Sequence, residues 1–249
     1  LCKNNIGYKN LCKLLSVAYL EGFYYKPRLD IDLLKKYGEG LVCTTACLKG
    51  EVGYNFFTDQ DEKAISAINK LHGVFKDDFY LEVQENGLPE QAIVNKKVID
   101  FAKTNNMQVV ATNDCHYMTP EDAQAQEVLL CVQTGKTYAD ENRMRMSSNE
   151  FYFKSPEKMR EAFAYFPEAC DNTLKIADKC NVELNWKDEK GNQIYHLPAF
   201  PIDTGESEGE FLARASREGL EDRFQGPHFT KIVNEENWES EQKQIYLDR

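Results

Sequence analysis

The chain of 249 residues carries 41 acidic and 30 basic side chains, which gives a net charge of −11. Because nucleic-acid affinity depends mainly on phosphate neutralisation by Lys and Arg, this balance argues against a protein that binds nucleic acid by itself. The hydrophobic fraction of 42% is ordinary for a globular protein, and no apolar run approaches the roughly 20 residues of a membrane span.

Helical and strand patterns alternate along the chain. Apolar spacing predicts helices over residues 8–19, 30–37, 64–75, 89–104, 167–180 and 208–224. Ser155 is expected to cap a further helix that begins at Pro156. Runs rich in β-formers predict strands over residues 41–45, 79–83 and 109–112. Strands separated by helices of this length favour parallel βαβ units and an α/β barrel or sheet.

Eight cysteines are scattered through these patterns, and no CxxC pair occurs among them. We therefore expect reduced thiols in a cytoplasmic protein and no structural zinc knuckle. Most of these cysteines are expected to act as small core residues.

The segment QVVATNDCHYM, residues 108–118, combines a strand with two ligand-type residues. Asp114 and His116 stand two residues apart, and in an extended segment both side chains would point the same way. A carboxylate and an imidazole in that arrangement could hold one metal ion. The alternatives are that Asp114 caps the next helix and that His116 only packs.

Several motifs occur in an order that resembles a known domain. VVATNDCHYMTPEDAQAQEVLLCVQTGK is similar to the last metal motif of the PHP (polymerase and histidinol phosphatase) domain in bacterial replicative polymerases, the DNA polymerase III alpha subunits. IGYKNLCKLLSVAYLEGFYYKPRLD and GLVCTTACLKGEV resemble earlier landmarks of that domain, whereas NEFYFKSPEKMREAF, PEACDNTLKIADKCNVEL and HLPAFP resemble its closing segments. The resemblance covers residues 1–224.

The resemblance implies a fold and a division of the chain. Residues 1–200 would be the C-terminal portion of a PHP domain, an incomplete, distorted β/α barrel with parallel strands. Residues 201–249 would be a mostly helical linker and the start of the polymerase palm region. An interrupted barrel exposes apolar strand edges, so self-association of the fragment is expected.

The resemblance also implies a metal site. The family's matched positions, Cys47, Asp114 and His116, help to hold a cluster of divalent ions (zinc, manganese or magnesium), and in active members this cluster supports removal of nucleotides from a DNA 3′ end. Cys47 follows the strand 41–45, and the other two residues follow the strand 109–112, so all three are expected at the carboxyl ends of parallel strands.

Two departures from the family limit this expectation. The family's remaining ligands, a His-x-His pair, an Asp, a further His and a Glu, lie N-terminal to the matched segment, and nothing resembling them is present. The family's polymerising aspartates lie in a palm domain beyond it. We therefore expect no catalytic residue in this chain, no activity in isolation, and weak metal binding or none.

The intact parent is expected to be a DNA-directed DNA polymerase, a nucleotidyltransferase of chromosome replication, with DNA and other replisome subunits as partners and no membrane association. Two alternatives remain open. One is a stand-alone PHP-type metal-dependent phosphoesterase, and the other is a non-catalytic scaffold that stabilises the polymerase.

Overall fold

The computed structural model of the chain describes residues 1–195, 197–226 and 244. The chain divides into two compact units, Leu1–Leu184 and Asn185–Arg249. In the described part, no helix has both the length and the apolar character of a membrane span. The functional division at residues 200 and 201 stays a prediction, because much of the second segment (residues 227–243 and 245–249) lies outside the described residues.

Helices and strands alternate in the first unit, and one of the described helices belongs to the second. The described helices are α1 (Asn5–Leu20), α2 (Ile31–Tyr37), α3 (Glu51–Phe57), α4 (Asp61–Phe75), α5 (Pro89–Asn105), α6 (Ala123–Thr134), α7 (Pro156–Ala162), α8 (Glu168–Lys179) and α9 (Glu208–Gln225). The described strands are β1 (Cys43–Thr44), β2 (Phe79–Gln84) and β3 (Val109–Thr112). Short 3₁₀ turns, Lys76–Asp78 and Pro120–Asp122, precede β2 and α6.

The described strands form one parallel sheet in the order β1-β2-β3. This confirms the predicted α/β class with parallel strands. β3 has its predicted bounds and β2 runs one residue further than predicted, but β1 is shorter than the predicted run of residues 41–45. Leu41 instead pairs with Cys2 in an isolated antiparallel bridge, and Ala46, with a φ of +59°, turns the chain just after the predicted run.

Alternation along the strands separates the core into two faces. On one face, Leu81 and Val109 belong to a large apolar cluster with the helices. On the other face, Tyr80 and Val110 pack with Ile176 of α8. Every residue of β2 is buried, as expected for a central parallel strand covered on both sides. The sheet is therefore the rigid part of the unit from which the loops extend.

Four of the described α-helices begin at a side-chain cap, and the cap at Ser155 was predicted from the sequence. The Asp30 carboxylate accepts a hydrogen bond from the Leu33 N–H at 2.9 Å, and the Ser155 hydroxyl accepts one from the Lys158 N–H at 3.3 Å. In the second unit, Ser207 and Glu210 form a reciprocal capping box at the start of α9. The predicted helices are confirmed to within about three residues at each end.

Two helices, α3 and α6, were not predicted. α3 has only seven residues and contains Gly53, which lowers intrinsic helix propensity by about 1 kcal/mol. The glycine has a packing reason, because a Cβ atom at this position would lie 2.8 Å from the Cys47 carbonyl oxygen. A local pattern cannot reveal such a requirement.

The apolar stripe predicted for α1 faces the core only in part. Leu14 and Ala18 are buried, whereas Tyr8, Leu15 and Tyr19 are exposed. The N-terminal end of α1 instead approaches the loop before β1 closely enough that a Cβ atom on Gly7 would meet backbone. Close backbone packing therefore positions this end of the helix.

A cluster of charges joins three distant parts of the first unit. Asp78, in the turn before β2, accepts hydrogen bonds from Lys3 and from Lys179 of α8, the latter at 3.1 Å. Burial raises the pKa of the Asp78 carboxyl, but the two lysines together outweigh this effect and lower the pKa below its ordinary value of 3.8.

We expect Asp78→Asn to lower the free energy of unfolding at pH 7 by about 1 kcal/mol, because both lysines lose their anionic partner. The pKa of the Asp78 carboxyl is lower in the folded state than in the unfolded state. The stabilisation by its two lysine contacts is therefore fully present above pH 3.8 and is lost as the pH falls through the folded-state pKa. Urea denaturation of both proteins at pH 7 and at acidic pH measures the difference, which should shrink at acidic pH.

The matched control for this prediction is Asp100→Asn, which removes an exposed partner of Lys96 on α5. It should change the free energy of unfolding by less than about 0.5 kcal/mol at either pH. If the free energy of unfolding differs between wild type and Asp78→Asn by the same amount at both pH values, the ionised Asp78 carboxylate is not the source of the stabilisation.

Candidate metal site

The predicted ligand residues lie at one end of the sheet. Because β1, β2 and β3 are parallel, their carboxyl ends share an edge, and the segments that leave this edge line a cavity of about 350 Å³. The lining residues are Cys47, Leu48, Lys49, Asn86, Leu88, Asp114, His116, Arg145, Met146, Ser147 and Phe151. All three residues predicted from the sequence line this cavity.

Asp114 and His116 lie side by side, but not for the predicted reason. The segment is not extended, since Asp114 has a φ of +53°, in the left-handed region that Asp tolerates better than most residues. The His116 Nε2 and Asp114 Oδ1 atoms are 3.5 Å apart. Two ligands bound to one ion at about 2.0–2.2 Å have a similar separation.

The alternative roles of these residues are only partly realised. Thr119 and Asp122, not Asp114, cap the helical turn that follows. His116 does pack, since its ring lies edge-on to Phe151 with a centroid distance of 5.4 Å. Its side chain nevertheless keeps 42% of its surface exposed, so the ring is accessible from the cavity side of the loop.

The loop that follows β1 positions Cys47. Ala46, just before it, has a φ of +59°, and the Cys47 carbonyl accepts a hydrogen bond from the Gly50 N–H at 2.8 Å. α3 begins immediately afterwards. All eight cysteines are free thiols. Burial raises the pKa of the neighbouring Cys43 thiol to about 11, which disfavours the thiolate that a metal requires.

A buried carboxylate connects these two loops. The Glu82 side chain, on β2, accepts a hydrogen bond from the Ala46 N–H at 3.0 Å and one from the Thr112 hydroxyl at 2.5 Å. It also accepts one from the Gln84 amide at 3.1 Å, while its own N–H donates to the Thr45 hydroxyl at 2.8 Å. Glu82 thereby ties the end of β1 and the end of β3 to the central strand.

A third segment brings positive charge to the cavity. Arg143 is paired with Glu127 of α6, whose carboxylate also accepts a hydrogen bond from the Met146 N–H at 2.7 Å. Burial raises the pKa of Glu127, but these two donors outweigh it and the pKa is lowered. The anchored segment presents Arg145 at the cavity, where Lys49 is the second cationic residue.

The donor chemistry fits a divalent ion, although the arrangement is open. One sulfur, one imidazole nitrogen and one carboxylate oxygen are ligand types suited to Zn²⁺, and in part to Mn²⁺. Within the described residues, however, no group of three His, Cys, Asp or Glu side chains is gathered closely enough to hold a metal ion. The assignment of Cys47, Asp114 and His116 as ligands therefore stays a prediction.

One lining residue, Asn86, was missed by the sequence analysis. It lies two residues after the end of β2, as Asp114 lies two residues after the end of β3. The rule that functional groups gather after parallel strands predicted residues at the first and third strands only. Applied to the central strand, it would have identified Asn86.

The chain is similar to one domain family and to one group of bacterial polymerase subunits. A family model described as "PHP domain" matches residues 1–86. The DNA polymerase III subunit alpha of Borreliella burgdorferi is 43% identical over 224 residues, which cover 90% of this chain and 19% of the relative. The corresponding subunits of Helicobacter pylori and Thermus aquaticus are 41% and 40% identical, over 89% and 90% of this chain and 20% and 18% of the relatives.

These similarities extend through both the β1 and the β3 ends of the sheet, since they cover about nine-tenths of the chain. The chain spans about a fifth of the length of the curated relatives it matches.

We expect Glu82→Gln to lower the free energy of unfolding by about 1–3 kcal/mol. The carboxylate accepts three hydrogen bonds, and an amide in its place would turn an NH₂ group towards one of these donors. Urea denaturation measures the loss. Glu161→Gln, an exposed change on α7, is the control and should stay within about 0.5 kcal/mol of wild type. Equal stability of Glu82→Gln and wild type would show that the buried carboxylate does not hold the strand ends.

Proposed function

We propose that this chain is part of a bacterial DNA polymerase III alpha subunit, a DNA-directed DNA polymerase. In this proposal residues 1–200 supply a portion of the PHP domain and residues 201–249 lead into the palm region. The observation that best supports it is 40–43% identity to such subunits over about nine-tenths of the chain. The intact protein would carry out template-directed DNA synthesis with DNA and other replisome subunits as partners.

Within this portion, we propose that the cavity at the strand ends is a divalent-metal site for cleavage of phosphodiester bonds at a DNA 3′ end. Cys47, Asp114 and His116 would hold the ion, and the 3.5 Å separation of the Asp114 and His116 ligand atoms suits a shared ion. When bound, such an ion polarises a phosphoryl oxygen and activates water at neutral pH.

The remaining charged residues of the cavity have roles that follow from their position. Lys49 and Arg145 are exposed cations on the same cavity, so they can attract and orient a phosphodiester. The chain's overall charge of −11 means that most of the affinity for DNA would come from elsewhere in the intact protein.

A second candidate function, a non-catalytic scaffold, is favoured by a specific observation. Among the described residues no three His, Cys, Asp or Glu side chains are gathered into a metal-binding group. In that case the strand-end cavity would be a remnant, and the unit would serve to stabilise the polymerase. The stand-alone phosphoesterase has no comparable observation in its favour.

We expect the chain to bind Mn²⁺ or Zn²⁺ more weakly than about 1 μM, because three predicted ligands are fewer than the four of a closed site. Isothermal calorimetry measures this, and His116→Ala should abolish the binding. His72→Ala, which changes an exposed histidine on α4 away from the cavity, is the control and should leave the binding unchanged. The complete absence of binding to wild type would favour the scaffold.

We expect neither primer extension nor 3′ exonuclease activity from the isolated chain. The family's polymerising aspartates lie in a palm domain outside the matched segment, and the predicted metal site has few ligands. Incubation with a labelled primer-template, Mn²⁺ and deoxynucleotides gives a direct readout on a denaturing gel. An activity that persists through further purification and disappears in Asp114→Ala would contradict this expectation.

A further inference from the structure

One face of α1 carries an exposed stripe of largely apolar side chains. Its members recur at steps of three and four residues, which places them on the same side of the helix: Tyr8, Cys12, Leu15 and Tyr19. All of them are exposed, whereas Leu14 and Ala18 turn another face of α1 into the core. The described fold therefore covers one face of this helix and leaves an apolar face open.

The stripe continues into the loop between α1 and α2. Phe23, Tyr24 and Tyr25 follow the helix and are exposed, Tyr25 to 83%. The Phe23 ring stacks on Tyr19 at a centroid distance of 6.4 Å, and the rings of Tyr24 and Tyr25 meet edge to face at 4.6 Å. Single exposed apolar residues are normal, but a contiguous group indicates an interaction surface. We call Tyr19, Phe23, Tyr24 and Tyr25 the aromatic patch.

The backbone holds this loop in one conformation. The Tyr24 N–H donates a hydrogen bond to the Lys26 carbonyl at 3.1 Å. A Cβ atom on Gly22 would lie 2.2 Å from the Arg28 carbonyl oxygen, so the two ends of the loop meet. Between them Tyr25 has a φ of +59°, which is unfavourable for a bulky residue and is frequent at binding sites. The fold thus keeps a ring in solvent at a strained position, and core packing does not explain it.

The aromatic patch lies in a basic segment of an acidic chain. Residues 8–29 contain four basic side chains and one acidic side chain, Glu21, which gives the segment a net charge of +3 against −11 for the whole chain. All four basic residues are exposed: Lys9, Lys13, Lys26 and Arg28. In the part of the chain that the structure describes, none of them forms an ion pair with a carboxylate. The Arg28 guanidinium lies over the Tyr24 ring at 4.8 Å.

Single-stranded nucleic acid has the chemistry that complements this surface. Its unpaired bases stack on aromatic side chains, and its phosphates bind Lys and Arg. A duplex offers the phosphates, but its bases are stacked on one another and are not free to meet the rings. An apolar protein surface would cover the rings and leave the surrounding cations without opposite charges. The combination of open rings and unpaired cations therefore favours a single strand.

We propose that the aromatic patch binds single-stranded DNA, with bases stacked on Phe23 and Tyr25 and phosphates bound by Lys26 and Arg28. None of these residues lines the cavity at the strand ends, so the surface is not part of the proposed metal site. The choice of DNA over RNA rests on the proposed function. Because the net charge of −11 opposes tight binding, we expect a dissociation constant of about 1–100 μM at about 50 mM salt.

The test measures the fluorescence anisotropy of a labelled oligothymidylate of about 12 nucleotides as the purified chain is added. EDTA is present, so no bound metal contributes. Tyr25→Ala should weaken binding by about 10-fold and leave its salt dependence unchanged. The double variant Lys26→Gln, Arg28→Gln should weaken binding and lower the slope of log K against log salt concentration by about 1.4, since each phosphate contact with a single strand contributes about 0.7. A duplex of the same length should bind about 10-fold more weakly than the single strand.

Three further substitutions separate binding from folding and from general effects. Tyr25→Gly removes the ring and relieves the positive φ, so it should keep or raise the midpoint of urea denaturation while it weakens DNA binding. Tyr54→Ala removes a ring on α3 that is 55% exposed and outside the patch, and it should leave the affinity unchanged. Lys103→Gln removes an exposed cation on α5 and should leave the salt dependence unchanged.

Several results would overturn the proposal. One is equal affinity of wild type and Tyr25→Ala for the single strand, and another is duplex binding as tight as single-strand binding. A third is light scattering that shows Tyr25→Ala converting a dimer into a monomer with no change in DNA affinity, because the patch would then join two copies of the chain. Tighter binding of an RNA of the same length would overturn the assignment to DNA. Because the assay contains neither metal nor nucleotides, its outcome is separate from the tests of the metal site and of polymerase activity.

Discussion

In this protein the buried carboxylate of Glu82 connects the carboxyl ends of the outer strands β1 and β3 to the central strand. Glu82 lies on the central strand, where its side chain accepts hydrogen bonds from the loop after β1, from the last residue of β3 and from its own strand. A buried carboxylate is costly unless all its oxygens are engaged, and here three donors engage them. Glu82 therefore helps to position both loops that carry the candidate ligands.

The two loops tied by Glu82 contain backbone conformations that are unfavourable by themselves. Ala46 and Asp114 both have positive φ angles, and each lies within two residues of a candidate ligand or is one. Such conformations persist only where the surrounding structure stabilises them, and they are frequent at functional sites. The hydrogen bond from the Ala46 N–H to Glu82 and the packing of Gly53 against the Cys47 carbonyl stabilise the first loop. The hydrogen bond from the His116 N–H to the Phe151 carbonyl, at 2.8 Å, stabilises the second.

Local rules accounted for most of the secondary structure and for part of the site. The parallel α/β organisation, the bounds of β3 and the cap at Ser155 followed from periodicity and capping chemistry. α3 was missed because Gly53 weakens the local helical signal, although tertiary packing beside Cys47 requires a glycine there. The shared cavity of Cys47 and Asp114 was expected from their positions after parallel strands, and the structure brings both residues to it.

The sequence alone determined which chemical groups follow each strand, because side-chain alternation, caps and strand ends are properties of short segments. Only the tertiary structure decided how these groups meet. It replaced the assumed extended run at Asp114 with a left-handed turn, and it brought Asn86, from the end of the central strand, to the same cavity. Both outcomes depend on contacts between residues far apart in the chain, such as those of Glu82 with Ala46 and Thr112, and no local pattern contains that information.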